Sequence, residues 1–301
     1  MPCARRVRII AGLFVLLAMR EVHAEPLRVV TFNLFHGGPT SGLVGDGLRL
    51  EERLAMTVDE LRRLKPDVIA LQEASISLRR GNVAERLGRE LGYYVAHAPA
   101  SERLFSGSFL GRLGVMLINF NEGPAVLSRW PIVAREIIDL PRCGERFLDP
   151  RVLLRVEIEA PGRRLQVYST HASGYTCEYE RIESAVRERR GAVAAIVMGD
   201  LNETEQVPGL ARLTTRAGFT DAFRAANPTD PGNTDIQQIG ATAATVSRRY
   251  DYIFVVPTVH APGAVLASRV VLNEPRRRAD GTTLWPSDHY GVLADIDLAS
   301  R

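Results

Sequence analysis

The sequence predicts a single α/β domain built on mixed β-sheets, and three observations lead to this fold class. The 301 residues are 46% hydrophobic, which is enough to bury one substantial core. From Leu27 onward, short β-rich runs alternate with segments of helical spacing, and the strands outnumber the helices. No repeat, low-complexity tract or linker interrupts the chain, so we expect one domain.

In the first half of the chain, we expect strands where β-branched and apolar residues run together, and helices where apolar residues recur at helical spacing. Leu27–Leu34 is such a β-rich run, and a glycine-rich loop follows it. Leu50–Leu64 has helical spacing, which Pro66 stops. The same patterns predict a strand at Val68–Gln72, a helix at Asn82–Leu91, and strands at Tyr93–Ala96, Gly114–Ile118 and Ala125–Leu127, the last two flanking a loop at Glu122.

The second half begins with a β-hairpin, because two β-rich runs flank the turn residues Pro161 and Gly162. A helical pattern follows, and then a short apolar run that indicates a buried strand ending at Gly199-Asp200. A stretch rich in Pro, Asp and Gly, from Asn227 to Asn233, predicts a loop. The elements are strands at Val152–Ile158 and Leu165–Thr170, a helix at Arg181–Arg190, and strands at Ala194–Met198, Tyr250–Val256 and Val292–Leu298.

The N-terminus has the features of a secretory signal peptide. Three arginines precede the apolar run Ile9–Met19, and Val22-His23-Ala24 supplies the small residues of a cleavage site. The run is shorter than the roughly 18 residues that span a bilayer, so we expect cleavage after residue 24 rather than a retained anchor. Residues 25–301 would then form the domain, and the protein would be periplasmic or secreted.

Removal of this segment changes the charge of the chain. Residues 1–24 hold four of the 38 basic residues and one of the 35 acidic ones, so the remainder has 34 of each and no net charge. The sequence pI of 8.9 belongs to the full chain. It is therefore no evidence for a nucleic-acid partner, and zero net charge argues against a sequence-blind DNA binder.

Cys143 and Cys177 are the two cysteines that remain after residue 24, and we expect them to form a disulfide. Cys143 lies 18 residues before Pro161 and Cys177 lies 15 residues after Gly162, so an antiparallel hairpin would bring them together. Export would supply the oxidising compartment. Two free, buried thiols are the alternative, and no CxxC spacing indicates a cysteine metal site.

Polar side chains recur where the apolar strands end. Each one alone has an ordinary explanation as a cap, a turn residue or a buried histidine. Together they indicate a site, because strand ends that face a common edge are where α/β folds bind ligands. They are Asn33, Glu73, His171, Asp200 with Asn202, Asp251, and Asp288 with His289.

The chemistry of this set favours a phosphoesterase with a hard metal ion. Carboxylates and amide oxygens without cysteine prefer Mg²⁺ or Mn²⁺ to zinc. Histidines and further carboxylates supply the proton-transfer groups that displacement at a phosphoester needs. The sequence has no Gly-x-Ser-x-Gly, Walker loop or His-Glu-x-x-His, so nothing indicates a serine hydrolase, an NTPase or a zinc protease of that type.

Seven short motifs occur in order: Thr31-Phe32-Asn33-Leu34, Leu71-Gln72-Glu73, Glu122-Gly123-Pro124-Ala125-Val126-Leu127-Ser128-Arg129 with Pro131, Ser169-Thr170-His171, Gly199-Asp200-Leu201-Asn202, Tyr250-Asp251-Tyr252-Ile253 and Ser287-Asp288-His289. This ordered set resembles the endonuclease/exonuclease/phosphatase superfamily, which includes pancreatic-type deoxyribonucleases, abasic-site endonucleases, bacterial sphingomyelinases and inositol-polyphosphate phosphatases. The resemblance covers essentially the whole chain from Leu27. It implies a four-layer sandwich, in which helices flank two mixed β-sheets, and a metal-dependent hydrolase of phosphoester bonds.

The resemblance also implies which residues hold the metal and the phosphate. Glu73 would be the principal ligand of Mg²⁺ or Mn²⁺, with Asn33 and Asp288 nearby and partly acting through water. Asp200 and Asn202 would orient the attacking water and the phosphoryl oxygens.

A second group of residues is implied for proton transfer. His289 would be the general base or acid, held in its tautomer by Asp251, although Asp200 is an alternative base. His171 would donate to a phosphate oxygen or the leaving group, with Glu122 as its carboxylate partner. Pro124 departs from many relatives, and a proline there removes a backbone donor.

The sequence leaves the substrate open. A phosphodiesterase acting on nucleic acid is one possibility, a sphingomyelinase-like enzyme or an inositol-phosphate phosphatase is the alternative, and a non-catalytic binding protein on the same fold is a more distant one. Trp285 and Arg276-Arg277-Arg278 could hold nucleic acid at the rim, or could pack and face solvent. Leu104–Leu117 could be a hydrophobic hairpin that touches lipid, or part of the core. We expect a monomer without a stable protein partner.

Overall fold

The computed structural model describes residues 25–37, 46–77, 79–100, 121–144, 150–189, 191, 193–258 and 263–298. The expected signal peptide, the strand at Gly114–Ile118, the segment Leu104–Leu117 and part of the glycine-rich loop lie outside these ranges. Among the described residues, no helix is long and apolar enough to cross a membrane.

One mixed sheet combines strands from both ends of the chain. Its strands are β1 (Leu27–Asn33), β2 (Val68–Ser77), β3 (Gly81–Asn82), β4 (Tyr94–His97), β5 (Asn121–Ser128), β12 (Ala264–Val271) and β15 (Gly291–Asp297). They lie in the order β12-β15-β1-β2-β5-β4, with β3 paired to β2. β1 and β2 are parallel, and the other neighbours are antiparallel.

The second mixed sheet comes from the middle of the chain. Its strands are β6 (Ile132–Asp139), β7 (Val152–Ala160), β8 (Arg163–His171), β9 (Ala194–Asp200), β10 (Thr220–Asp221) and β11 (Asp251–Val256). They lie in the order β10-β11-β9-β8-β7-β6, and β8 and β9 are the parallel pair. β13 (Arg276–Arg277) and β14 (Thr283–Leu284) form a separate two-stranded ribbon.

Among the described residues, four helices cover the outer faces of the two sheets, and a short fifth helix packs against the core between them. The helices are α1 (Leu50–Leu64), α2 (Val83–Leu91), α3 (Thr176–Glu188), α4 (Pro208–Thr215) and α5 (Ala222–Ala226). α1 and α2 share a buried apolar cluster with the first sheet, and α3 and α4 share one with the second. A third cluster joins the inner faces of the two sheets. The four-layer sandwich implied by the resemblance is therefore confirmed.

The central strands of the two sheets are buried on both faces. In β1, Val29 belongs to the core between the sheets, whereas Val30 and Phe32 pack under the helices. This alternation follows from the two-residue period of a strand. Because both faces need apolar residues, such strands have nearly continuous apolar sequences, which is why they are visible in the sequence.

Most elements lie where the sequence predicts them, and the differences have local causes. α1 has the predicted bounds, and the Asn82 side chain caps α2 by accepting a hydrogen bond from the Glu85 N–H. The loop predicted at Glu122 is wrong, because Glu122 lies within β5, opposite Ser75 of β2. β6 and β12 are not predicted, since exposed and charged positions interrupt their apolar pattern.

The predicted disulfide between Cys143 and Cys177 is present, with a Cα–Cα distance of 6.7 Å. The strands β7 and β8 pair antiparallel as expected, and the cysteines lie on either side of this hairpin. Cys177 lies in the first turn of α3, so the bond ties that helix to the segment after β6.

Candidate active site

The candidate active site lies at one edge of the sandwich, where strands of both sheets begin or end. β8 ends at His171 and β9 ends at Asp200, and these residues are neighbours across the parallel pair. Asp251 lies opposite Asp200 but begins its strand, because β11 runs antiparallel to β9. The Asn33 amide, at the end of β1, donates a 3.0 Å hydrogen bond to Asp200 Oδ2. This bond joins the two sheets at the site.

A glycine allows the close pairing of β8 and β9 just before the site. A Cβ atom at Gly199 would lie 2.1 Å from the carbonyl oxygen of Thr170. A larger residue there would push the two strands apart directly before His171 and Asp200.

Glu73 lies within β2, at a β-bulge, and not at a strand end as the sequence predicts. The register between β2 and β5 shifts there, so that Gln72 and Glu73 together lie opposite Pro124. Glu73 has a left-handed backbone, with a φ of 53°. Pro124 has no backbone N–H, so the break in the hydrogen-bond ladder leaves no donor unpaired at this position. The bulge turns the Glu73 carboxylate toward Asn33, whose Nδ2 lies 3.4 Å from Glu73 Oε1.

His36 holds the carboxylate of Glu73, although the strand-end pattern does not include it. Its backbone N–H donates a 3.0 Å hydrogen bond to Glu73 Oε2, and its imidazole Nδ1 bonds to the same oxygen. Burial acts to raise the pKa of Glu73, but the hydrogen bonds and charge of His36 outweigh it and hold this pKa below its usual range. Its position three residues after Asn33 is the sequence signal that could have identified it.

His289 and Asp251 form a buried pair. His289 Nδ1 lies 2.9 Å from Asp251 Oδ2, which turns Nε2 toward Asp235 at 3.4 Å and Asp200 at 3.6 Å. Burial acts to lower the pKa of His289, but the charges of Asp251 and Asp200 raise it well above its ordinary value. An imidazole oriented by one carboxylate and facing others is suited to proton transfer.

Asn202 connects Asp200 with His171. Its backbone N–H donates to Asp200 Oδ1 at 2.9 Å, and its side-chain amide lies 2.9 Å from both the Ala172 carbonyl oxygen and His171 Nε2. An amide that donates to Nε2 requires a neutral imidazole. Burial and the nearby charge of Arg151 lower the pKa of His171 well below its ordinary value, in agreement with this geometry.

The carboxylates of the site fit a divalent cation. Burial raises the pKa of Asp200 to about 7 and that of Asp288 to about 6, and the charge of Glu73 adds to the latter. One ligand atom each of Asp200, Asp251 and His289 lies within 4.8 Å of the others. Buried carboxylates with too little positive charge around them are stabilised by a metal ion, and their oxygens suit a hard one.

Glu122 pairs with Arg151 and not with His171. The distance between Arg151 Nη1 and Glu122 Oε1 is 3.7 Å, and both side chains are largely buried. Arg151 Nε also donates a 3.1 Å hydrogen bond to Ser173 Oγ, in the loop that follows His171. Arg151 thus connects Glu122 to the loop that follows His171, and the sequence pattern gives no signal for Arg151.

Trp285, Arg276 and Arg278 of the proposed rim are engaged in the fold. Trp285 is 4% exposed, stacks on Tyr290 with ring centres 5.5 Å apart, and donates a 2.7 Å hydrogen bond to the Ala241 carbonyl oxygen. It is therefore not free to stack on a base. Arg276 and Arg278 form surface ion pairs with acidic residues of α1.

Comparisons with known proteins agree with this architecture. The model of the Endonuclease/Exonuclease/phosphatase family matches residues 30–289. No curated protein matches the chain.

Solved structures with the same fold include three of different origin. A family protein from Leptotrichia buccalis is 20% identical, with a TM-score of 0.64 over 90% of this chain and 99% of that one. A mannosyl-6-phosphatase from Bacteroides thetaiotaomicron is 16% identical, with a TM-score of 0.65 over 90% and 99%. The human Nocturnin catalytic domain with a bound sulfate anion is 20% identical, with a TM-score of 0.63 over 92% and 95%. The family match, with the fold that these structures share, shows that the chain belongs to the Endonuclease/Exonuclease/phosphatase family and is a hydrolase of phosphoester bonds.

Proposed function

We propose that this protein is an exported phosphodiesterase that requires a divalent metal ion and hydrolyses its substrate with an activated water. The arrangement around His289 carries the proposal. Asp251 holds Nδ1, Nε2 faces Asp200 at 3.6 Å, and Asn33 connects Asp200 to Glu73 of the other sheet. Proton-transfer groups beside hard oxygen donors are what attack of water on a phosphoester needs.

Glu73, Asn33 and Asp288 would hold Mg²⁺ or Mn²⁺. Glu73 is the proposed principal ligand, because its carboxylate is fixed and largely buried. The Asn33 amide nitrogen donates to carboxylates and its oxygen accepts a 3.0 Å hydrogen bond from the Phe35 N–H, so Asn33 would act by orienting ligands or through water. The bound ion would stabilise the charge that develops on the phosphoryl and leaving oxygens.

His289 and Asp200 would share the proton of the attacking water. They lie close enough to titrate as a coupled pair, and Asp251 keeps the imidazole oriented. Asn202 would orient a phosphoryl oxygen together with Asp200. His171 is neutral in this geometry and carries its proton on Nδ1, so it would donate this N–H to the phosphate or the leaving oxygen.

The family leaves several substrates possible. Nucleic acid is our first candidate, and a phospholipid head group or an inositol phosphate is the alternative. One similar structure is a mannosyl-6-phosphatase, and its name describes a phosphomonoesterase. This supports a sugar phosphate as a second class of substrate to be tested.

A substrate screen with matched variants tests the proposal. Purified protein with Mg²⁺ is incubated with plasmid DNA, RNA, sphingomyelin, inositol phosphates and mannose 6-phosphate, with EDTA as a parallel arm. Glu73→Gln is expected to lose activity, whereas Glu85→Gln, an exposed glutamate on α2, is expected to keep it. If the folded, metal-loaded protein hydrolyses none of these compounds, or if EDTA has no effect, the proposal is wrong.

Export is a separate part of the proposal. The sequence of residues 1–24 and the disulfide between Cys143 and Cys177 support it. N-terminal sequencing of protein from the periplasm or medium of the native host is expected to begin at Glu25. Retention of the intact N-terminus in the cytoplasm would contradict export without affecting the proposed chemistry.

A further inference from the structure

Three side chains form a row that begins at His289 and ends at the protein surface. Antiparallel bridges pair Asp235 with His289 on one side and with Arg248 on the other. Asp235 Oδ1 lies 3.4 Å from His289 Nε2, and Asp235 Oδ2 lies 3.1 Å from Arg248 Nη2. One carboxylate group therefore separates the guanidinium of Arg248 from the imidazole of the proposed active site.

Arg248 is held in place without being buried. Asp235 is 2% exposed, and a carboxylate so deeply buried needs its cationic partner. The guanidinium also lies 4.8 Å from the centre of the Tyr250 ring. Nevertheless 48% of the Arg248 side chain remains exposed. A guanidinium that is fixed on one side and open on the other is preorganised to bind an anion.

The position of Arg248 indicates which anion it meets. Neighbouring antiparallel segments lie roughly 4.8 Å apart, so the Arg248 backbone is about two spacings, or roughly 10 Å, from that of His289. The Asp235 carboxylate occupies the space between them and repels an anion there. A group bound by Arg248 is therefore beside the reacting phosphoryl group and not part of it.

We propose that Arg248 binds a second phosphate group of the substrate, next to the phosphoester that is hydrolysed. This inference rests on the proposed function and narrows it. The substrate class is a phosphodiester that carries a neighbouring phosphate, as each nucleotide in a nucleic-acid chain does. The planar guanidinium of an arginine can donate hydrogen bonds to two phosphate oxygens at once, whereas the ammonium of a lysine acts as a point charge.

Two chromogenic esters that differ by one phosphate test the inference. They are the p-nitrophenyl ester of thymidine 5′-phosphate and the same ester with an added 3′-phosphate. The wild type is expected to show the higher kcat/KM on the ester with the 3′-phosphate. In Arg248→Ala this preference is expected to fall roughly tenfold, equivalent to about 1.4 kcal/mol.

Arg276→Ala is a matched control. Arg276 is 50% exposed and pairs with an aspartate at 3.0 Å, much as Arg248 does, but its partner Asp59 lies on α1 at the outer face of the first sheet. This variant is expected to keep the full preference. Arg248→Lys keeps a positive charge opposite Asp235 but loses the planar guanidinium. This variant is therefore expected to keep only part of the preference for the ester with the 3′-phosphate. Arg248→Lys also provides the test if Arg248→Ala does not fold, as judged by thermal unfolding.

Binding separates this inference from the proposed function. Calorimetry with thymidine 3′,5′-bisphosphate is expected to give roughly tenfold weaker affinity for Arg248→Ala than for the wild type. If neither ester is hydrolysed but this difference in binding is found, the proposed function fails and the phosphate site stands. If both esters are hydrolysed and Arg248→Ala keeps the wild-type preference, Arg248 serves only as the partner of Asp235 and the inference is overturned.

Discussion

At the scale of single residues, the imidazole of His289 depends on the carboxylate 2.9 Å away on Asp251. We expect His289→Ala and Asp251→Ala each to lower kcat by roughly 100- to 10,000-fold, the contribution typical of general acid–base groups. The double variant should lose little more than either single one, because residues that act as a unit are not additive. Steady-state kinetics on a phosphodiester measures all three.

Asp280→Ala, in the turn between β13 and β14, is the control and should leave kcat unchanged. If the two single losses instead multiply in the double variant, Asp251 has a task separate from His289.

Arg53 shows how a single buried side chain supports the site. It is fully buried in α1, and its guanidinium donates to the carbonyl oxygens of Leu34 at 2.9 Å, Phe35 at 2.8 Å and Pro286 at 3.3 Å. Leu34 and Phe35 directly follow Asn33, and Pro286 lies two residues before Asp288. One guanidinium thus fixes the segment that follows Asn33 and the segment that precedes Asp288, and both of these residues are proposed metal ligands.

We expect Arg53→Met to lower the free energy of unfolding by roughly 3 kcal/mol or more, because it leaves several buried carbonyl groups unpaired. Urea unfolding monitored by circular dichroism measures the loss. Arg63→Met, on the exposed side of the same helix, should stay within about 0.5 kcal/mol of the wild type. An equal loss in both variants would mean that helix propensity, and not the loop contacts, sets the effect.

The sequence predicts some site residues well and others poorly for physical reasons. Asn33 and Asp200 could be found because a polar residue at the end of an apolar strand is a local pattern. Arg53 lies on the apolar face of α1 and interrupts its pattern. A charged residue at such a position indicates a buried charge, but the helix pattern alone does not show which groups this charge pairs with. Asp235 lies in an irregular loop, and its position beside His289 depends on contacts between distant segments.

At the scale of elements, the bulge in β2 explains why the position of Glu73 could not be predicted. A strand's apolar pattern is local, but a bulge depends on the register with its partner, here β5. The prediction therefore ends the strand at Glu73, whereas the structure continues it to Ser77.

The disulfide connects the segment before the β7–β8 hairpin to helix α3, which follows the site residue His171. Cys177 lies next to Glu178, whose carboxylate accepts hydrogen bonds from the backbone N–H groups of Ser173 and Tyr175, in the loop after His171. The bond closes a loop with a sequence separation of 34 residues. Fixing the start of α3 therefore also fixes the loop that follows His171.

We expect the Cys143→Ser, Cys177→Ser double variant to lose roughly 3–4 kcal/mol of unfolding free energy in the chain-entropy model. Denaturant unfolding measures it, and the wild type in reductant should show the same loss. Mass spectrometry after alkylation under denaturing conditions should find neither cysteine modified in the unreduced protein. Two alkylated cysteines would contradict the disulfide.

At the scale of the whole molecule, metal binding should stabilise the fold as well as support catalysis. EDTA is expected to abolish hydrolysis, and Mg²⁺ or Mn²⁺ to restore it, because the site offers hard oxygen donors. The metal should also raise Tm, since it binds the folded state alone. Calorimetric titration should show Mg²⁺ binding to the wild type and to Glu85→Gln but not to Glu73→Gln. Restoration by Zn²⁺ alone would contradict the ligand assignment.

The stability of the molecule should also fall in mild acid because of His97. This side chain is buried in β4, with Nε2 2.9 Å from the Ala74 carbonyl oxygen, and burial lowers its pKa to about 4. Below its ordinary pKa of about 6.5, the unfolded state binds a proton that the folded state excludes. The contribution of His97 is therefore intact above pH 6.5 and decreases by up to roughly 3 kcal/mol as pH falls toward 4.

Urea unfolding between pH 7 and pH 4 measures this dependence, and His97→Gln should show a shallower decline over that window. An identical decline in both proteins would assign the acid sensitivity to other groups.

The hydrogen bond from Asn33 to Asp200 has a consequence for when the protein becomes active. Glu73 belongs to one sheet, and His171 and Asp200 belong to the other, so neither sheet alone contains all of these proposed reacting groups. The proposed active site would therefore be complete only when the two sheets have packed against each other. On the proposed function, a nascent or half-folded chain would therefore leave the phosphoesters around it intact.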